Sequence, residues 1–158
     1  MIRPATEEDV EAILGLVHDL ATYERAAHRV RMDAGQLRAA LFGERPALFA
    51  HVAEEDGGVV GMAVWFLNFS TWTGRHGIWL EDLFVTPGAR GRGHGRDLLV
   101  TLVRLASESG YGRVEWSVLD WNEPAIAFYR SLGAEAMDEW TTFRLAGDAL
   151  VHLAGDGA

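Results

Sequence analysis

The residues of this chain best suited to chemistry crowd into one stretch, Leu80 to Leu99, LEDLFVTPGARGRGHGRDLL. Arg90, Arg92, His94 and Arg96 alternate there with Gly91, Gly93 and Gly95. Guanidiniums are fork-shaped donors that match phosphate oxygens. Glycines let the backbone close on an anion with no side chain in the way. Where such a loop opens a helix, the first-turn N–H groups lack partners and the positive end of the helix dipole lies behind them. The stretch is therefore suited to a phosphate or pyrophosphate. Just upstream, Glu81 and Asp82 are adjacent carboxylates on a strand. Alternation sends them to opposite faces, so only one can meet a common ligand unless a bulge intervenes.

The elements that must position these groups follow from local pattern. Leu80–Val85 reads as a strand and Thr86-Pro87-Gly88 as a turn. Leu98, Leu99, Leu102, Val103 and Ala106 form one face of the next helix, which stops at Gly110. Earlier, Ile2-Arg3-Pro4 is a short extended start. Thr6, with Asp9 three residues on, caps a helix whose apolar spacing continues to about Tyr23. A shorter helix is predicted from Asp33 through Leu41, ending near Gly43. Leu48–Glu54 and Val59–Phe69 are strands around an Asp56-Gly57-Gly58 turn. Downstream, Arg113–Val118 is a strand. Asn122 caps a helix with Pro124 in its first turn and Gly133 at its end, and Trp140–Leu145 reads as a last strand. The order β-α-α-β-β-β-α-β-α-β predicts one mixed α/β (α+β) domain over residues 1–147, with a frayed tail over 148–158.

The whole chain narrows the possible functions. Its 158 residues suffice for one domain with a real core, and 49% of them are hydrophobic, a globular composition. There is no cysteine, so disulfides, thiolate zinc sites and cysteine nucleophiles are excluded. The six histidines show no ligand spacing, and no metal is expected. A net charge of −9 argues against nucleic acid and anionic membranes and favours cationic small partners. The arginine cluster of the loop stands against that global sign. All 14 basic residues are arginine, which removes a Schiff-base lysine and the lysine of a Walker loop. With no signal-like N-terminus and no spanning stretch, a cytoplasmic protein is expected.

The loop glycines run G-x-G-x-G past mid-chain, which departs from the Rossmann fingerprint in spacing and context. Arg90-x-x-Gly93-x-Gly95 after Leu83-Phe84-Val85 instead resembles the acetyl-CoA pyrophosphate loop of the GNAT superfamily of N-acetyltransferases. The segment from Asn122 through Phe128-Tyr129 to Gly133 is similar to that superfamily's second signature. The I-R-P-A-T start, Leu20 to Glu24, the L-E-D-L-F-V strand and the W-N-E-P segment resemble the spermidine/spermine (diamine) branch, which includes relatives acting on thialysine. Arg25-Ala26-Ala27-His28-Arg29 departs from the acidic run of its polyamine-specific members, which puts a polyamine substrate in doubt.

The resemblance implies a GNAT fold with splayed central strands and an acetyl-CoA cosubstrate. The pantetheine arm would lie along backbone groups of Leu83, Phe84 and Val85, with Leu83 or Phe84 N–H facing the oxyanion. The pyrophosphate would lie on Gly91, Arg92, Gly93, His94 and Gly95, with Arg90 or Arg96 nearby, and Asn122 could bond the arm. Tyr129 is implied as general acid: a phenol, with an ordinary pKa near 10, stays protonated at neutral pH and can donate to a leaving thiolate. Glu81 is implied as the base, through water, with Asp82 holding the cationic amine and Glu24 and Trp140 on the substrate side. A small-molecule amine is the expected partner, and a homodimer is expected through the aromatic Phe66–Trp79 segment. Two other readings remain: a non-catalytic acyl-CoA-binding sensor, and acetylation of a protein N-terminus or lysine.

Overall fold

Asp56 and Gly57 set the first strand register. Both have positive φ, 51° and 79°, the type I′ geometry whose twist matches paired strands. In the computed structural model, which describes residues 1–155, this turn joins β2 (Phe49–Glu55) to β3 (Gly58–Ser70). A second hairpin joins β3 to β4 (Arg75–Val85), so β4 begins at Arg75 and not at Leu80 as expected. Gly74, with Gly74 N–H donating to Ser70 O at 2.8 Å, closes that turn and lets pairing start early. β1 (Ile2–Pro4) pairs antiparallel with β2, and β5 (Val114–Glu115) pairs parallel with β4. The five strands lie in the order β1-β2-β3-β4-β5, a mixed sheet.

Helices cover both faces. α1 (Val10–Tyr23) follows a single 3₁₀ turn, and α2 (Ala34–Phe42) ends at Gly43. The Thr6–Asp9 start forms as expected: Thr6 N–H donates to Asp9 Oδ2 at 2.7 Å, and the Arg3 guanidinium grips the same carboxylate at 2.7 and 2.9 Å. These bonds, that from Arg3 first, hold the Asp9 carboxyl at about 2. Val10, Ile13 and Leu16 of α1 and Leu37 and Leu41 of α2 pack on Val52, Met62, Val64 and Phe84 of the sheet. By strand alternation Ala53 and Ala63 point to the other face, where α3 (His94–Glu108) packs with Leu98, Leu99 and Leu102 buried.

The register of β3 against β4 shifts once. Val64 faces Asp82 while Trp65 faces Leu80, so Glu81 is an extra residue on β4. This is the bulge on which the placement of the two carboxylates depended.

The chain divides into two compact units, Met1–Leu119 and a smaller one beginning at Asp120. The smaller unit contains α4 (Glu123–Ser131) and α5 (Gly147–Gly155). Two expected strands are corrected. β5 covers Val114–Glu115 alone, and Trp140–Leu145 forms no strand. The β-branched and aromatic content of W-T-T-F-R-L favours an extended backbone, but a strand also requires a paired neighbour. Gly147–Gly155 is helical within the stretch expected to fray, and the rest of that expectation, residues 156–158, lies outside the described residues. Among the described residues no helix is long and apolar enough to cross a membrane.

Candidate active site

The β4 bulge brings Glu81 and Asp82 to one cavity of about 330 Å³ in the larger unit. Asp82 lies on the α1/α2 face of the sheet opposite Val64, and Glu81 reaches the same space because the extra residue breaks the alternation. Trp79 Nε1 donates to Glu81 Oε2 at 3.0 Å and orients that exposed carboxylate. Asp82 is mostly buried. Burial, then the neighbouring charges of Glu81 and Glu24, push its carboxyl up from 3.8 to about 6. Glu24, at the C-terminus of α1, is itself pushed up by burial. Three carboxylates thus share one region, which favours a cation or a proton there. Of the substrate-side residues expected from the sequence, Glu24, Glu81 and Asp82 are brought together.

At the other end of β4 the glycine-rich loop enters α3. Gly93 is its N-cap at φ 90°, a conformation that costs any residue with a Cβ. The first backbone bond of the helix runs from Asp97 N–H to Gly93 O at 2.9 Å, so the amides of His94, Gly95 and Arg96 precede the intrahelical ladder. A Cβ placed on Gly91 would meet open space, and one on Gly95 would come no closer than 3.8 Å to Val85. The loop leaves room for an anion against its amides.

The loop side chains divide their work in a way the sequence does not reveal. Arg90 turns inward: its Nε donates to Val85 O at 3.0 Å, and its guanidinium lies over the rings of Tyr23 (5.2 Å) and Phe84 (5.3 Å). It braces the strand–loop junction. Arg92 and His94 both bond Glu55 at the end of β2, His94 Nε2 lying 2.6 Å from Glu55 Oε2. The His94 bond, followed by Arg92, lowers the Glu55 carboxyl. Arg96 makes no ion pair among the described residues and stands exposed on the first turn of α3. Glu55 and Trp79 are site residues that sequence reasoning missed. Trp79 left a signal, since i and i+2 share a strand face. Glu55 left none.

β4 and β5 pair only at Ile78–Val114 and Trp79–Glu115. β5 ends at Glu115, so beyond Trp79 β4 has no partner from it, and Leu83, Phe84 and Val85 pair on the β3 side. Val85 O, one of the groups expected to serve a pantetheine arm, already accepts from Arg90.

In the smaller unit, Asn122 Oδ1 accepts from Ala125 N–H at 3.4 Å and caps α4, with Pro124 in the first turn. Tyr129 sits near the C-terminus of α4, its ring centroid 5.4 Å from that of Phe128. Its carbonyl receives the N–H groups of Leu132 and Ala134 around Gly133 at φ 86°, so the helix stop fixes the tyrosine backbone. Trp140 lies outside any helix or strand, its N–H donating to Met137 O at 3.2 Å. Among the described residues no group of three His, Cys, Asp or Glu could hold a metal ion.

A mixed five-stranded sheet with a glycine-rich loop opening a helix after its fourth strand is the architecture in which the site sits. Residues 14–134 match the acetyltransferase (GNAT) family, and the chain belongs to that family as an N-acetyltransferase. It is 38% identical to thialysine N-epsilon-acetyltransferase of Mus musculus, over 98% of this chain and 96% of that protein. It is 30% identical to L-ornithine N5-acetyltransferase of Arabidopsis thaliana, over 94% and 85%. Among solved structures, an integron cassette protein from the mobile metagenome of V. cholerae superposes with a TM-score of 0.82 at 26% identity, covering 98% of this chain and 96% of that one. An aminoglycoside acetyltransferase from a soil metagenome shares the fold, with a TM-score of 0.79 at 18% identity over 94% and 96%.

Proposed function

We propose that the chain transfers the acetyl group of acetyl-CoA to a primary amine of a small cationic molecule, by direct attack within a ternary complex. The observation that carries this reading is the bulge at Glu81, which turns two adjacent carboxylates into one cavity on the strand that runs into the glycine-rich loop. Acetyl-CoA, when bound, supplies an activated thioester carbonyl. Asp82 holds the ammonium, because a half-desolvated carboxylate gains most from a cation. Glu81 is exposed and oriented by Trp79, so it can accept the amine proton through water and pass it to bulk. The amides of Gly93 to Arg96 and the Arg96 guanidinium take the pyrophosphate, with Glu55 yielding Arg92 and His94 to it. Backbone groups of Leu83 and Phe84 align the thioester, and Tyr129 donates the proton that the departing sulfur needs. Residues 1–147 act as one domain in this scheme, since the family match crosses from one compact unit into the other.

Two measurements test the reading. The first is a screen for CoA release over polyamines, thialysine, amino acids and amino sugars, in which at least one cationic amine is expected to turn over. Tight acetyl-CoA binding with no release across the panel would make the chain a sensor instead. The second separates fold from cofactor contact at two glycines. Gly95→Ala meets no close neighbour and gains helix propensity of up to ~1 kcal/mol, so it should fold normally yet bind acetyl-CoA at least tenfold more weakly. Gly93→Ala should lose ~1–2 kcal/mol of stability through its positive φ. Unchanged acetyl-CoA affinity in Gly95→Ala would remove the amide cradle from the scheme.

A further inference from the structure

One carboxylate holds two of the four basic side chains of the glycine-rich loop. Glu55 is the last residue of β2, beside the Asp56-Gly57 turn. Its two oxygens go to different groups: Oε1 accepts from the Arg92 guanidinium, and Oε2 lies 2.6 Å from His94 Nε2. Arg92 and His94 flank Gly93, the N-cap of α3. A carboxylate therefore already sits where two side chains of an anion-binding loop converge. Resting on the acetyl-CoA reading above, we infer that Glu55 is the loop's resident counter-anion, which the cofactor's pyrophosphate must displace from Arg92 and His94. Glu55 then sets how tightly acetyl-CoA is held and how readily CoA leaves.

A purely structural role for the pair fits less well, because other bonds already hold the loop backbone. Thr86 N–H donates to Val60 O at 2.9 Å, Ala89 N–H to Thr86 O at 3.0 Å, and Asp97 N–H to Gly93 O at 2.9 Å. Arg90 Nε ties the loop to Val85 O, and Gly91 and Gly93 supply the positive φ it needs. Nor is the pair between Glu55 and Arg92 buried: Arg92 keeps 56% of its side-chain surface exposed and Glu55 25%. Ion pairs at such a surface add little to stability and are screened by salt, so this one opens at small cost. Glu54, next in the chain, differs. It bonds Arg3, which also grips the buried Asp9, and that set closes on itself at the start of α1. Charge decides the exchange at Glu55. A carboxylate offers one negative charge and two oxygens, both engaged here. A pyrophosphate linking two esters carries more charge and more oxygens, and it also receives the first-turn amides of α3 and the Arg96 guanidinium. The cofactor outcompetes Glu55, yet it binds more weakly than it would to the same loop without that carboxylate.

Calorimetric titration with acetyl-CoA, alongside inhibition of turnover by CoA, tests this in two variants that leave the Asp56-Gly57 turn intact. Glu55→Gln removes the competing charge. It should bind acetyl-CoA at least about fivefold more tightly, with affinity falling more steeply as salt is raised. CoA should become a correspondingly stronger inhibitor. Glu55→Asp keeps the charge on a side chain one methylene shorter, which spans Arg92 and His94 less well. It should bind more tightly than the natural chain and less tightly than Glu55→Gln. Affinity that is unchanged or weaker in Glu55→Gln overturns the counter-anion and makes Glu55 a prop of the loop. A gain in Glu55→Gln with none in Glu55→Asp overturns displacement in favour of plain charge repulsion. No acetyl-CoA binding by the natural chain or either variant overturns the acetyl-CoA reading itself.

Discussion

Replacing Asp82 with asparagine is expected to make the protein more stable at neutral and alkaline pH and to cripple it as an enzyme. The folded carboxyl titrates near 6, raised from 3.8 by burial first and by Glu81 and Glu24 after that. The native state therefore holds this proton more tightly than the unfolded chain. Its contribution to stability is fully present below pH ~4 and is lost as the pH climbs through 6. Two pKa units correspond to roughly 3 kcal/mol. An asparagine still has an amide to bury, so the expected gain at pH 8 is about 1–3 kcal/mol, or roughly 3–10 °C in Tm. Near pH 4 the gain should vanish, because the aspartate is then neutral too. Melting curves of both proteins at pH 4 and pH 8 check this, and a constant Tm gap would refute the buried-charge account. In the proposed scheme an ammonium in the cavity would offset the same repulsion. Removing a buried partner of such a pair costs ~2–5 kcal/mol, so kcat/KM for the amine should fall at least about thirtyfold, mainly through KM. The most stable form of the cavity and its most useful form are different molecules.

The contrast between what the sequence revealed and what it concealed follows from interaction range. The Thr6–Asp9 box, the helix start at Asp33, the Asp56-Gly57 turn and the Asn122-to-Gly133 helix depend on partners within a few residues, so residue type and spacing carry them. The glycine-rich loop is legible for the same reason. Whether Glu81 and Asp82 share a cavity was not, because a bulge is a property of two strands in register and β4 alone contains no sign of it. Glu55 lies 37 and 39 residues from the groups it bonds, Arg92 and His94. Nothing local distinguishes it from Glu54 beside it, which bonds Arg3 on the other face. The strand expected at Trp140–Leu145 failed for the complementary reason: composition reports a preference for extended backbone, while pairing is decided elsewhere in the molecule. The segment Arg25-Ala26-Ala27-His28-Arg29 was visible as a basic departure from the diamine pattern, but only the structure puts Arg29 on the lining of the cavity that holds Glu81 and Asp82.

The other large effect is expected at Tyr129. Amine attack on a thioester expels a thiolate of pKa roughly 8.5, the ordinary value for such a sulfur, and a positioned proton donor is worth ~10²–10⁴ in rate. Tyr129→Phe removes the donor and keeps the ring beside Phe128, so packing within α4 is preserved. The helix that carries it is pinned at both ends, by Asn122 at its start and by the Gly133 stop, so the backbone at 129 has no reason to move. The variant should therefore bind acetyl-CoA with unchanged affinity and turn over at least a hundredfold more slowly. Its pH profile separates an acid from a packing residue. The parent should lose activity at alkaline pH as the donor ionises, and the variant should lack that limb while keeping the rise at lower pH that comes from the carboxylates and the amine. A variant with unchanged kcat, or one whose alkaline limb persists, would reduce Tyr129 to the partner of Phe128. The proton for the leaving sulfur would then have to come from water, and the role of α4 would end with holding the Asn122 cap in place.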